Sequence, residues 1–191
     1  ITDDVPQTKY TFFDNGSPPY DNIVEIGGKF YGLTDEDGIL GEGSLYEYDP
    51  VSESFQILHF FEAIGTTDTN YITDLCTDGT SIYALQQQFF TGTSIVRYDI
   101  NSQTITSLAS LASLGISEVK DLRYASNNKL YGVSRPISSA DNILFSYDIA
   151  SGTLTNEHTF TSADGSGCYS IMEHSNGNIY GATLGGGANN Q

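Results

Sequence analysis

The sequence predicts an all-β fold: a β-propeller, or an arc of one, built of ~49-residue four-stranded antiparallel blades. Three observations predict it. One strand is written four times, as Lys29-Phe30-Tyr31-Gly32, Ser81-Ile82-Tyr83-Ala84, Lys129-Leu130-Tyr131-Gly132 and Asn178-Ile179-Tyr180-Gly181, with tyrosine steps of 52, 48 and 49 residues. A second marker keeps the same beat: Tyr48-Asp49, Tyr98-Asp99 and Tyr147-Asp148 are 50 and 49 residues apart. The apolar runs are dominated by Tyr, Phe, Thr, Ile and Val, which suit a pleated surface better than a helix. A two-sheet sandwich with accidental internal similarity is the competing architecture, and the register of the two markers argues against it.

The elements follow in order. Residues 1–9 are polar and read as an arm or linker. Tyr10-Thr11-Phe12-Phe13 is a short aromatic strand that stops at the turn residues Asp14 to Pro19, so 10–21 is expected to be the last strand of a preceding or closing blade. Blade one spans 22–61, with strands at 23–26, 29–34, 44–49 and 54–61 and Gly27-Gly28 as the first tight turn. Blade two spans 71–111, with strands at 71–76, 81–87, 94–100 and 104–111. Blade three spans 118–160, with strands at 119–125, 129–134, 143–149 and 154–160. The stretch 169–191 is the first half of a fourth blade, with strands at 169–174 and 178–183 before a glycine-rich end. Leu108, Leu111 and Leu114 have helical spacing, but the repeat register assigns that slot to a strand.

At this level the residues resemble the GloVer-type tandem repeat of bacterial secreted and surface proteins. The resemblance rests on Ile179-Tyr180-Gly181-Ala182-Thr183 with Gly186-Gly187-Ala188-Asn189-Asn190, and on the strand ends His59-Phe60-Phe61 and His158-Thr159-Phe160. It covers residues from about 10 to 191 by the repeat criterion. Blade two departs from it, with Ala84 for the glycine and Gln86-Gln87-Gln88-Phe89-Phe90 for the glycine-rich loop. The resemblance implies a propeller on a surface-exposed protein and carries no catalytic residue.

Composition narrows the function. Seven basic residues stand against 24 acidic ones, a net charge of −17. That excludes the basic stripe a nucleic-acid partner requires, and an anionic membrane would repel it. No apolar run reaches membrane length, so no membrane insertion is expected. The chain opens on Ile1 rather than Met and reads as cut from something longer. With abundant Ser, Thr, Asn and Gly it suits a secreted or cell-surface bacterial β-protein. The two cysteines, Cys76 and Cys168, fall in non-adjacent repeats and are expected to be buried free thiols rather than a disulfide.

A blade that runs down, up, down, up puts its tight turns on one face and its long connections on the other. Loops on a rigid scaffold are where binding residues concentrate, so the long-connection face is the candidate site. Gln86, Gln88, Phe89 and Phe90 offer amides beside aromatic rings, a combination that holds sugars; packing between blades is the plainer reading of the two phenylalanines. Arg135 could bind a carboxylate or pair with Asp141. Asp35, Asp37 and Glu42 bring hard oxygens that could hold Ca²⁺, although the spacing is not that of an EF-hand and a solvated acidic turn explains it too. The repeated tyrosines are expected to pack between sheets. His59 and His158, at equivalent positions, are expected to be structural.

The leading expectation is therefore an extracellular interaction module that binds a glycan, a protein partner or a neighbouring subunit. A propeller hydrolase or lyase with acidic funnel residues is one alternative, with no catalytic residue marked by any motif. A structural subunit of a filament or layer, self-associating through the open blade edge, is another.

Overall fold

The computed structural model describes residues 19–34, 43–61, 70–88, 92–116, 118–134, 142–161 and 163–187. The first sheet joins β1 (Pro19–Ile26), β2 (Lys29–Thr34), β3 (Ser44–Asp49) and β4 (Ser54–Phe60) in that order. The second joins β5 (Asn70–Thr77), β6 (Ser81–Gln88), β7 (Gly92–Asp99) and β8 (Thr104–Ser110). The third joins β9 (Val119–Tyr124), β10 (Lys129–Ser134), β11 (Ile143–Asp148) and β12 (Thr153–Thr159). The fourth pairs β13 (Ser166–Glu173) with β14 (Ile179–Gly185). Every ladder is antiparallel. First strands pack beside first strands, β1 against β5, β5 against β9 and β9 against β13. Sheets that meander outward from neighbouring inner strands make an arc of a β-propeller.

Strand alternation explains the core. Successive side chains leave a strand on opposite faces, so a central strand between two sheets must be apolar on both. In β6, Ile82 and Ala84 join Tyr31, Leu33 and Leu45 in the seam between blades one and two. Tyr83 and Leu85 of the same strand join Leu122, Leu130 and Phe145 in the seam between blades two and three. A smaller cluster, Val133, Cys168 and Ile171, closes the seam between blades three and four. The core is thus three interfaces rather than one centre.

The outer hairpins are built by the Tyr-Asp marker. Asp49 Oδ1 accepts the amides of Val51 (2.8 Å) and Ser52 (3.2 Å), Asp99 Oδ1 that of Ser102 (2.8 Å), and Asp148 Oδ1 those of Ala150 (3.1 Å) and Ser151 (2.8 Å). These are aspartate-closed turns, in which the side chain replaces a backbone carbonyl. The third residue beyond each aspartate repeats too: Ser52, Ser102 and Ser151 hydroxyls reach Ser54, Thr104 and Thr153.

Several boundaries differ from the sequence expectation. β1 begins at Pro19, inside the expected turn cluster; a proline is tolerated at the first residue of a strand because its missing N–H breaks no ladder bond there. The connection expected over 88–93 shrinks to 89–91, because Gln86, Gln87 and Gln88 pair with Ser94, Thr93 and Gly92. The Gln87 amide is satisfied within the sheet by Thr73 Oγ1 at 2.9 Å, which removes the cost of a polar strand residue. The leucine-spaced segment is one turn of 3₁₀ helix, Leu111–Leu114, after β8 ends at Ser110. Gly115, at φ 70°, stops it. β13 starts at Ser166 and β14 runs to Gly185, both longer than expected.

Candidate interaction face and its buried supports

The strand ends that flank the long connections 35–43, 61–69, 111–118, 135–142 and 160–165, and the short 89–91, all fall at one end of the blades. The opposite end carries the tight turns. Of the residues singled out in the sequence, Gln86 is half-buried within β6, opposite Ser94 and Ile72. Gln88 ends β6, paired with Gly92. Phe89, Phe90, Arg135, Asp141, Asp35, Asp37 and Glu42 lie outside the described residues. Among the described residues no group of three or more His, Cys, Asp or Glu is placed to hold a metal ion.

The turn end shows what holds the scaffold rigid. Each repeated tyrosine ties its hydroxyl to a polar side chain. Tyr83 donates to Asp78 Oδ2 at 2.8 Å, while Tyr131 and Tyr180 accept from Asn127 (2.9 Å) and Asn176 (3.1 Å). Asp78, Asn127 and Asn176 occupy the same inner turn. Blade one has Gly27-Gly28 there and no side chain to offer, so Tyr31 turns to Glu47 Oε2 of β3 at 2.8 Å. Lys29 Nζ (2.7 Å) and Gln56 Nε2 (3.0 Å) reach the other Glu47 oxygen. Burial pushes the Glu47 carboxyl up, but hydrogen bonds from Lys29, Tyr31 and Gln56 outweigh it and hold it below its ordinary value. Burial, then the carboxylate acceptor, pushes the Tyr31 and Tyr83 hydroxyls well above theirs.

The expected tyrosine core holds in part. Tyr31 and Tyr83 are buried and Tyr131 is half-buried, whereas Tyr180 is 50% exposed. Tyr180 projects from the face of β14 against which no described sheet packs. His59 and His158 stand edge-on to Phe61 and Phe160, with ring centres 5.0 and 4.8 Å apart, in keeping with structural roles. Cys76 and Cys168 are buried and free, and burial pushes both thiols up.

Sequence reasoning placed the inner strands but missed the polar positions within them. Register aligns Asn22, Asp74, Asp121 and Ser170, each one residue before an aliphatic side chain (Ile23, Leu75, Leu122, Ile171); in the last three that side chain faces the previous blade. Beside these positions each first strand breaks its register, and Asp74 itself takes φ 54°. Asp121, 2% exposed, accepts the Ser170 hydroxyl (2.9 Å) and the Ile171 amide (2.8 Å) across the seam. Its other oxygen lies 2.8 Å from Arg123 Nε, an ion pair out of line for a hydrogen bond. Asn22 reaches Asp74 across the first seam at a long 3.5 Å. The signal was an aspartate directly before a leucine in a first strand, at Asp121-Leu122 and at Asp74-Leu75.

Comparison with known proteins supports the architecture. No family model and no curated protein matches the sequence. Among solved structures, TolB from Acinetobacter baumannii aligns with a TM-score of 0.56 at 14% identity, over 86% of this chain and 39% of that one. A putative TolB from Agrobacterium tumefaciens aligns with a TM-score of 0.56 at 12% identity, over 81% and 50%. A structural genomics protein of unknown function from Bacteroides thetaiotaomicron aligns with a TM-score of 0.58 at 9% identity, over 88% and 39%. These likenesses show a shared β-propeller-type fold. The chain spans half or less of the length of each of these three structures.

Proposed function

We propose that this arc is an extracellular interaction module, of the GloVer-type repeat class, that binds a protein partner or a surface glycan through its long-connection face. The observation that carries the reading is the asymmetry of the two blade ends. At one end, aspartate-closed turns and tethered tyrosines fix the hairpins; at the other, the connections are long and differ in sequence from blade to blade. A rigid frame that varies only at one end is how binding loops are displayed. The acidic surface, −17 overall, favours cationic or neutral partners. No helix among the described residues is long and apolar enough to cross a membrane.

The test is a binding screen of the protein against glycan arrays and bacterial surface extracts. It is repeated with the 35–43, 88–91 and 135–142 segments each replaced by Gly-Ser linkers, and with Gln86→Ala. Loss of binding in one or more linker variants that keep the parent melting temperature is the expected result. Binding that survives all of them would place the site elsewhere.

A further inference from the structure

The turn from β13 to β14, Ser175-Asn176-Gly177, has a counterpart between β9 and β10, Ser126-Asn127-Asn128. The two turns are closed alike. Gly177 N–H donates to His174 O at 2.8 Å, and Asn128 N–H to Ala125 O at 3.0 Å. Asn176 Oδ1 accepts the Asn178 amide at 3.0 Å, and Asn127 Oδ1 that of Lys129 at 3.2 Å. Each side-chain amide donates to a repeated tyrosine, Tyr180 at 3.1 Å and Tyr131 at 2.9 Å. Gly177 and Asn128 both sit in the left-handed region, at φ 80° and 63°. The turn asparagines are both exposed, and Asn127 is so although blade four packs on blade three. What differs is the residue that follows: glycine in blade four, asparagine in blade three.

That difference decides the chemistry of the asparagine. The backbone nitrogen of the next residue is placed to attack the side-chain carbon, and a side chain on that residue crowds its approach. No atom lies within 4 Å of where a Cβ on Gly177 would stand. Glycine is therefore free to turn toward Asn176 once its bond to His174 O opens. The neighbours of Asn176 favour the attack. The Asn178 N–H on Oδ1 stabilises the negative charge that gathers there as the carbon becomes tetrahedral. The Tyr180 hydroxyl lies against Nδ2, where a proton must arrive for ammonia to leave. Hydrogen bonds from Asn176 and Asn178 hold that hydroxyl below its ordinary value, which makes it a readier proton donor.

We propose that Asn176 is a site of spontaneous deamidation in the folded protein. The Gly177 nitrogen loses its proton to hydroxide and bonds to Asn176 Cγ, closing a succinimide ring. The Cγ–Nδ2 bond breaks, and Nδ2 leaves as ammonia with a proton from Tyr180 that water restores. Water then opens the ring. Attack at Cγ gives aspartate; attack at the main-chain carbonyl gives isoaspartate, whose backbone runs through the side-chain carbon. The net change is one water consumed and one ammonia released. The aspartate product copies blade two, where Asp78 precedes Gly79 and accepts the Tyr83 hydroxyl at 2.8 Å. The Tyr180 tether then reverses, with the hydroxyl donating to a carboxylate. The isoaspartate product lengthens the turn that sets β13 against β14. The site lies at the tight-turn end, so this inference and the long-connection reading can each fail alone.

To test this, the 191-residue protein is held in mildly alkaline buffer, and deamidation at Asn176 and Asn127 is followed by peptide mapping with mass spectrometry. Asn176 should convert steadily while Asn127 stays intact over the same period. Exchanging the following residues should exchange the behaviour. Gly177→Asn, which brings in the residue that already holds φ 63° in blade three, should abolish conversion at Asn176. Asn128→Gly should start it at Asn127, and melting curves check that both variants fold. Tyr180→Phe should slow conversion in the native protein and leave it unchanged in urea, where the turn is lost. In the aged protein and in Asn176→Asp, alkaline absorbance titration should find the Tyr180 phenol ionising at higher pH than in fresh protein. Asn176 unchanged in the folded protein, equal conversion at Asn127, or a rate indifferent to Gly177→Asn would each overturn the proposal. A native Tyr180→Phe protein that converts at the parent rate would overturn the tyrosine's part in it.

Discussion

Gly132 shows how a single position in this fold is fixed by its neighbour on the next strand. The Phe145 ring covers its Cα so closely that no Cβ fits, and the ring is fully buried in the seam to blade two. Gly132→Ala should therefore destabilise the protein by about 1–3 kcal/mol, the usual cost of overpacking. Adding Phe145→Val should recover part of that loss, because Ala84 already tolerates Val96. Urea unfolding of the two variants checks both statements. The tyrosine tethers make a second prediction. Tyr31 and Tyr83 have folded pKa values raised above the ordinary value near ~10. Their contribution to stability is complete below that value and is lost as pH rises past it. Stability should fall in alkali, and Tyr31→Phe or Tyr83→Phe should flatten the fall. Glu47 has the opposite sign: its lowered pKa stabilises above the ordinary carboxylate range and is lost as pH drops through the folded value. Glu47→Gln should thus weaken the protein at neutral pH and lose little more in acid, as pH-dependent thermal melts would show.

A hairpin in this protein is specified by its turn as much as by its strands. Asp49, Asp99 and Asp148 each accept the backbone amides just beyond them, and those bonds hold all three carboxyls below their usual value. The stabilisation is present above the ordinary carboxylate range and disappears as pH falls through the lower folded values. Asp148→Ala should lower the melting temperature at neutral pH and remove part of the acid dependence. Asp148→Asn should keep the turn while losing that dependence, since an asparagine oxygen can still accept both amides. These turns were legible in the sequence because Tyr-Asp recurs at a fixed step. The extent of the β6 to β7 connection was not, because Gln88, Gly92 and Thr93 look like loop residues until register pairs Gln88 with Gly92 and Gln87 with Thr93. The partner of each repeated tyrosine was equally hidden. Asp78, Asn127 and Asn176 share a turn, but blade one replaces that turn with Gly27-Gly28 and recruits Glu47 from another strand, which no periodicity reveals. Most candidate binding residues lie in connections that follow no repeat, so the sequence offered residue types there without positions.

Across the molecule, the described residues form a chain of seams, each apolar cluster joining adjacent blades. In such an arrangement the total stability is close to a sum of unit and interface contributions, and a terminal unit can open while the rest stays folded. Blade four is held by the smallest cluster, Val133, Cys168 and Ile171, and leaves Met172, Tyr180 and Leu184 exposed. Asp121 therefore carries more of that seam than its single residue suggests. Its carboxylate takes both the Ser170 hydroxyl and the Ile171 amide, and Glu173 adds contacts to Ser126 at the turn end. Asp121→Ala would leave the buried Ile171 amide without its acceptor, a loss of about 1–3 kcal/mol. The loss should fall on one unit. Amide exchange in β13 and β14 should quicken, while β2, β3 and β6 keep their protection. Asp121→Asn, which can still accept one of the two bonds, should show a smaller version of the same pattern. Exchange that rises evenly over all four sheets would mean that the seams are coupled into one cooperative unit, and the additive picture of the arc would have to be abandoned.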